Sequence, residues 1–499
     1  MKKLSGFIIV AAVVLAGCTK GYYDINTNPN ASTNASVDLV LANALKTTAD
    51  KPIVNNQPIS TWMGYWGASG SYAQSSSDAA SYFQSTSTAD GGGTAGLTAW
   101  TNMYNNLEDY DYVEQTSAAT NQYFYQAAAK VMKAYVYGQL VDNFNNVPYS
   151  QALKGTANLT PVYDNGKDIY EALSTDLGAA VVLFQRADAV GSATQDILFG
   201  GVNTNWAKFA NSLRLRLLLR QTEMSGRSAY IQQEITKIVN NGAGFLTINA
   251  GVNPGYTNST GKQNPFYGFC INTAGTYIMD YWRASAYAIA SSVAHNDLRY
   301  TRWYAPTSSG AYVGCVEGGV GNPVGSGSST FGPGVLQSVS QPAILMTSSE
   351  SYFLQAEAIL RGFLPGAGSL DITMVNNGIT ANFTYLGLTA AQAATYYSQA
   401  SDKQADYAAC TNFTEKIACI MRQEWAADNM TTPYEAWANY RRLGLPADIP
   451  LTSSSFVDVN PPKIPFRILY PIIEYQTNAA NVGAQGSINH HTSKIFWMP

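Results

Sequence analysis

Charge is in short supply in this 499-residue chain. Asp, Glu, Lys and Arg together make up 12% of it, about half of the roughly 25% common in soluble proteins. No run of Lys and Arg marks a surface that could track phosphates. The densest basic group, Arg214, Arg216 and Arg220, sits inside an apolar helical pattern and is expected to serve the fold, so nucleic acid is excluded as a natural partner. Histidine occurs only at His295, His490 and His491, and no Cys-x-x-Cys pair is present. That leaves no zinc signature, and a histidine pair without further ligands is seldom a metal site. HExxH, GxSxG and Walker A patterns are missing too. Gly318 to Gly327 is rich in glycine, yet it lacks both the following Lys-Ser or Lys-Thr of a phosphate loop and the GxGxxG spacing. Past residue 17 no stretch approaches eighteen uninterrupted apolar residues. The expectation is a protein without enzymatic activity, metal or cofactor.

The first eighteen residues are informative. Lys2 and Lys3 precede a nearly unbroken apolar run from Gly6 to Leu15, and Leu15-Ala16-Gly17-Cys18 follows. The run is too short to span a bilayer, which takes about twenty residues, and reads as an export signal. Small residues at 16 and 17 suit cleavage before Cys18, whose thiol would accept lipid and hold the chain to a membrane. Residues 1–17 are therefore expected to be a lipoprotein signal peptide and residues 18–36, rich in Asn, Thr and Ser, a lipidated tether. Cleavage removes two lysines and takes the net charge from −4 to near −6.

An extracytoplasmic location gives meaning to the four remaining cysteines, Cys270, Cys315, Cys410 and Cys419, which are expected to form two disulfides. Three pairings are open. Cys410 with Cys419 would close a short loop, and Cys270 with Cys315 would brace a glycine-rich region. What replaces charge is Asn, Gln, Ser, Thr and 33 tyrosines, a surface suited to a neutral polyhydroxylated ligand.

Apolar spacing predicts helices over Tyr123 to Phe144 and Asn205 to Arg220. Asp168 with Glu171, Thr347 with Glu350, and Thr432 with Glu435 are spaced as N-terminal caps. Gly362 suits the left-handed residue beyond a helix end, and Pro433 the first helical position. Long irregular stretches separate these elements: Gly64 to Gly96, Gly242 to Gly268 and Thr307 to Gln341. The expected class is mostly α, with helical pairs as a scaffold and long irregular loops.

Several separated motifs resemble those of the SusD/RagB-like nutrient-binding lipoproteins of Bacteroidota outer membranes. They include Tyr23-Asp-Ile-Asn-Thr-Asn-Pro-Asn30, Lys133 to Asp142 leading into Asn146-Val-Pro-Tyr-Ser150, and Pro161-Val-Tyr-Asp164. Trp206 to Arg216, Met346 to Glu350, Gln423-Glu-Trp425, Glu435 to Arg442 and Tyr470-Pro471 follow in order. The resemblance implies tetratricopeptide-repeat-like helical pairs and a single SusD-like domain over residues 37–499 with a loop-rich, ligand-facing half. It also implies a cell-surface protein that captures oligosaccharides for polysaccharide utilisation and works with a TonB-dependent, SusC-like transporter. Asn296-Asp297-Leu-Arg299 is similar to the family's Asp-Pro-Arg landmark, which makes Asp297 and Arg299 structural partners. Cys18-Thr-Lys-Gly carries none of the acidic export signal often found there. An outer-membrane location facing the exterior remains the expectation.

A sugar ring presents an apolar C–H face that an aromatic plate covers, while amides meet its hydroxyls. The expected ligand-binding residues are therefore Trp62, Tyr65, Trp66, Tyr72 and Tyr82 in the first polar loop region. Trp282 and Trp303, which flank the insertion where the family places its ligand loops, complete the set. The competing reading makes Trp62 and Tyr65 or Trp66 a helix stripe in the core; Trp206, Trp425, Trp437 and Trp497 are expected to be scaffold. Glu108, Asp109, Asp111 and Glu114 form an acidic cluster that would carry glycoside hydrolysis or a calcium ion only if buried suitably, and it reads better as a solvated helix face. A peptide-binding member of the same scaffold is the alternative function, and a surface glycoside hydrolase a more distant one.

Overall fold

The computed structural model of the protein describes residues 35–50, 52–75, 79–82, 84 and 99–499. The expected signal peptide, Cys18 and tether residues 18–34 lie outside the described residues. Helices dominate from the start: α1 (Val37–Asp50), α2 (Pro52–Trp62), α3 (Ala99–Ala119), α4 (Tyr123–Phe144), α5 (Gly166–Phe184), α6 (Asn203–Leu219) and α7 (Ser228–Asn240). Each of α3 to α6 packs beside its successor, and α1 lies on α3. A loop-rich middle follows, with α8 (Pro265–Cys270), α9 (Ala286–Ala294) and α10 (Tyr300–Trp303). A second helical group then comprises α11 (Ser348–Leu360), α12 (Leu370–Tyr385), α13 (Ala390–Tyr397), α14 (Phe413–Asp428) and α15 (Pro433–Leu443), and short α16 (Ile472–Thr477) and α17 (Ala479–Gly483) come last. Among the described residues the strands make three two-stranded antiparallel sheets. These are β1 (Trp66–Ala68) with β5 (Trp282–Ala284), β2 (Val147–Pro148) with β3 (Tyr163–Asp164), and β4 (Ala250–Val252) with β6 (Ala343–Met346).

The helix α4 occupies the span that its apolar spacing predicts, with Phe124, Ala127, Ala128, Val131, Tyr135 and Gly138 all buried. The caps are more selective. Asn165, not Asp168, caps α5 by accepting from the Lys167 amide, because the helix begins three residues earlier than its charged pair suggests. Thr347 caps α11 through the Glu350 amide, and Gly362 takes φ +79 just past that helix. The reciprocal half of the Thr347 box is missing, since Glu350 turns inward to Arg216, 2.6 Å away. Thr432 does not cap α15; its hydroxyl donates to Asp428 (2.8 Å), and Glu435 reaches Arg216 (3.3 Å) and Arg220.

Those diversions belong to a buried charge network that ties α6 to both helical groups. Arg220 also meets Asp142 at 3.4 Å, and Trp497 Nε1 donates to the same carboxylate at 2.8 Å. Arg442 grips Glu357 through both guanidinium nitrogens, at 2.6 and 2.7 Å. The Arg441 guanidinium lies 3.4 Å from the Trp437 ring centre. Buried charges persist only when paired in this way. Nearby on α14, Glu424 and Asp428 each keep one buried oxygen without a partner, and burial pushes both carboxyls up, Glu424 to about 8. Arg299 is fully buried against Asp297 (2.7 Å), Asn382 and Gln423, so the Asp297–Arg299 partnership holds.

The expected disulfides are absent: Cys270, Cys315, Cys410 and Cys419 are all buried free thiols. Cys270, Cys410 and Cys419 pack among apolar side chains as small hydrophobes do. Cys410 and Cys419 are in thiol contact and pack with Phe353, Val375 and Ile420 in the smaller of two core clusters, while Cys270 belongs to the larger.

Candidate ligand-binding site

The short sheet of β1 and β5 organises the loop-rich side. Its register sets Ala68 opposite Trp282 and Trp66 opposite Ala284, and the pairing continues where the Ser69 amide donates to the Tyr281 carbonyl at 2.8 Å. The glycine-rich loop then folds over the end of β1. The Asn322 side chain donates to the carbonyls of Ala68 (3.1 Å) and Val316 (2.8 Å), and the Gly70 amide donates to Pro323. Gly70 is required by proximity: a Cβ there would fall 1.8 Å from the Asn322 carbonyl oxygen. Gln74 Nε2 donates to the Gly318 carbonyl at 2.5 Å, closing the far side.

Between these segments and the 454–456 loop lies a cavity of about 320 Å³, bounded by Tyr72, Gln74, Tyr281, Trp282, Asn322 and Phe456 among others. Tyr72 and Phe456 are 43% and 44% exposed. The Tyr72 ring sits 4.9 Å from that of Tyr281, centre to centre, and its hydroxyl donates to Asp280 at 3.2 Å. Asp280 also pairs with Arg283, so the charge nearest the Tyr72 hydroxyl is countered. Every described side chain bounding the cavity is uncharged. Such a surface offers aromatic faces and neutral hydrogen-bonding groups, the combination a saccharide needs.

Of the seven aromatics expected at a site, the cavity gathers two, Tyr72 and Trp282. The latter is only 6% exposed, and its Nε1 donates to Gln57 at 2.9 Å. The other five are not on exposed loops. Trp62 ends α2 edge-on to Tyr82 and Trp437; Tyr65 stacks on Trp425 and donates its hydroxyl to that residue's carbonyl (2.6 Å). Trp66 packs among Phe266, Trp282 and Phe331 on the inner side of β1. Tyr82 accepts from the Thr452 amide with its hydroxyl buried, and Trp303 packs edge-on to Trp425. All five are at most 2% exposed. For Trp62, Tyr65 and Trp66 the physical reason is that the segment around residue 62 continues a helix into a strand and buries its rings; Trp303 ends α10 with its ring turned to the core.

Phe456, Ser454, Ser455 and the Gly318–Asn322 loop are the contributors that sequence reasoning passed over. Phe456 had a usable signal, a lone aromatic after Thr452-Ser-Ser-Ser455 in a segment without apolar periodicity. The acidic cluster on α3 is not a catalytic pair: Lys133 holds Asp111 (2.7 Å) and Glu114 (2.9 Å), and Lys130 holds Glu114 (2.7 Å). Neighbouring cations also keep the Glu114 carboxyl below its ordinary range in spite of burial. Trp206, Trp425, Trp437 and Trp497 are buried, as scaffold residues should be.

A family model described as "Starch-binding associating with outer membrane", SusD-like, matches residues 29–471. The fold is that of solved SusD-like proteins. One from Bacteroides thetaiotaomicron superposes with a TM-score of 0.75 at 20% identity, over 93% of this chain and 99% of that one. A SusD homologue from Bacteroides uniformis gives 0.73 at 23%, over 92% and 99%. A chitin-binding SusD homologue from Flavobacterium johnsoniae gives 0.72 at 21%, over 92% and 98%. No functionally curated protein is similar to the chain in sequence. With the family model covering nearly all of the helical body, the chain belongs to the SusD-like family of outer-membrane-associated nutrient-binding proteins.

Proposed function

We propose that this protein is a lipid-anchored, outward-facing outer-membrane protein that binds neutral oligosaccharides in the cavity between Tyr72 and Phe456. In this reading it passes them to a TonB-dependent transporter. The observation that carries the reading is the uncharged, aromatic-flanked cavity of about 320 Å³, large enough for a few sugar rings at an open mouth. Peptide termini would meet no opposite charge among its described lining residues, which favours sugar over peptide. The family description names starch and one structural relative binds chitin, so α-linked glucans and β-linked N-acetylglucosamine oligomers are the first ligands to try. Binding without chemistry fits a site that no carboxylate lines among the described residues. The signal motif ending at Cys18 supports lipid anchorage, and residues 37–499 are read as the single unit that the anchor carries.

The test is a titration of the chain from residue 19 onward with malto-oligosaccharides, chito-oligosaccharides and mixed oligopeptides, followed by intrinsic fluorescence and calorimetry. Saturable saccharide binding with a change in Trp emission is expected, since Trp282 edges the cavity. Binding of peptides alone would refute the assignment.

A further inference from the structure

The sequence places His490 and His491 side by side with no third ligand nearby in the chain. The fold supplies one. Asp458, thirty-two residues earlier, brings its carboxylate to both imidazoles: Oδ2 lies 3.1 Å from His490 Nε2 and Oδ1 lies 2.8 Å from His491 Nε2. The two rings are 4.0 Å apart, centre to centre, and one ligand atom from each of the three residues falls within 4.8 Å of the others. A cation bound at about 2.1 Å in tetrahedral geometry holds its ligands roughly 3.4 Å apart, so the three groups stand within a small adjustment of that arrangement.

His491 Nε2 is hydrogen-bonded to Asp458 Oδ1, but one buried nitrogen of each ring has no partner. His490 and His491 are 6% and 3% exposed. His490 Nε2, despite its closeness to Asp458, is not aimed for a hydrogen bond, and His491 Nδ1 is also buried without a partner. The main-chain carbonyl of Tyr82 also lies beside the His490 ring. In metal sites a carbonyl placed in this way holds one ring nitrogen and leaves the other free for the ion. Asp458 is the least buried of the three, its side chain 24% exposed, which leaves an approach from solvent.

We infer that Asp458, His490 and His491 form a binding site for a divalent transition metal of the zinc class. Two imidazole nitrogens and one carboxylate oxygen suit such ions and disfavour calcium or magnesium, which take oxygen ligands. The site joins the 450–460 loop to the C-terminal segment, where the Phe466 amide donates to the His490 carbonyl. Asp458 follows Phe456 of the saccharide cavity by two residues, so the ion would fix the base of that loop whether or not the cavity binds sugar.

Zinc and cobalt chlorides titrated into the EDTA-stripped chain from residue 19 onward test the site directly. One equivalent is expected to bind, with a rise in melting temperature and, for cobalt, the visible absorption of a four-coordinate centre. Asp458→Asn, on the exposed loop, should leave the fold intact by circular dichroism and weaken binding at least tenfold; His491→Gln should do the same. No binding at millimolar zinc, or one-equivalent binding that survives Asp458→Asn, His490→Gln and His491→Gln alike, would overturn the proposal. The second result would point to the buried thiols instead.

Discussion

Replacing Tyr72 and Trp62 separately by alanine distinguishes a ring that meets ligand from one that holds the core. Tyr72 is 43% exposed, contacts Tyr281 on one side and keeps a single exposed hydrogen bond to Asp280. Its loss from the free protein should cost under about 1 kcal/mol. A sugar ring lying on it would forfeit about 1–2 kcal/mol, since stacking supplies roughly 0.5–1.5 beyond area burial, and the dissociation constant should rise about five- to thirtyfold. Trp62 has no exposed surface and packs against Tyr82 and Trp437. Truncating it should cost ~3–5 kcal/mol. For a body of this length unfolding as one unit, with an entropy near 2 cal/mol/K per residue, that is about 3–5 °C in Tm. Calorimetric titration with the tightest saccharide and differential scanning calorimetry of both variants read the two effects. Tyr72→Ala with unchanged affinity, or with a Tm loss as large as that of Trp62→Ala, would refute the placement of the cavity's aromatic wall.

Glu424 makes stability depend on pH in a predictable direction. Burial and the nearby Glu350 carboxylate raise it from 4.5 to about 8, so the fold keeps a proton that the unfolded chain releases. Its contribution is present below pH 4.5 and is lost as pH climbs toward 8, by up to about 1.36 kcal/mol per pH unit. Glu424→Gln should thus gain stability relative to the parent at pH 9 but not at pH 4.5, measured by urea unfolding at both values; an offset independent of pH would count against a protonated Glu424. At the cavity, Gly70→Ala must displace the Asn322 carbonyl by more than 1 Å from its present place. It should weaken saccharide binding severalfold at a stability cost of about 1–3 kcal/mol, and unaltered affinity would show that the glycine-rich loop is not part of the site.

The local elements of this fold were legible in the chain because their causes are local. Apolar spacing marked α4 and α6, Thr347 and Gly362 bracketed α11, and Pro433 began α15. The scarcity of charge likewise foreshadowed an uncharged cavity. Which way a ring faces is a different kind of fact, since Trp62, Tyr65 and Trp303 are buried by partners such as Trp425 and Trp437 that lie more than a hundred residues away. The Thr432 cap failed because its hydroxyl turns back to Asp428, while Glu435 is held by Arg216 and Arg220, where a buried guanidinium without a carboxylate is far costlier than an uncapped amide. Sequence alone thus determined the principal helices and the scarcity of charge, which depend on neighbours along the chain. Tertiary structure decided which aromatics face solvent, which carboxylates are paired and that Asp458 meets His490 and His491, because each depends on groups that only folding brings within a few ångströms.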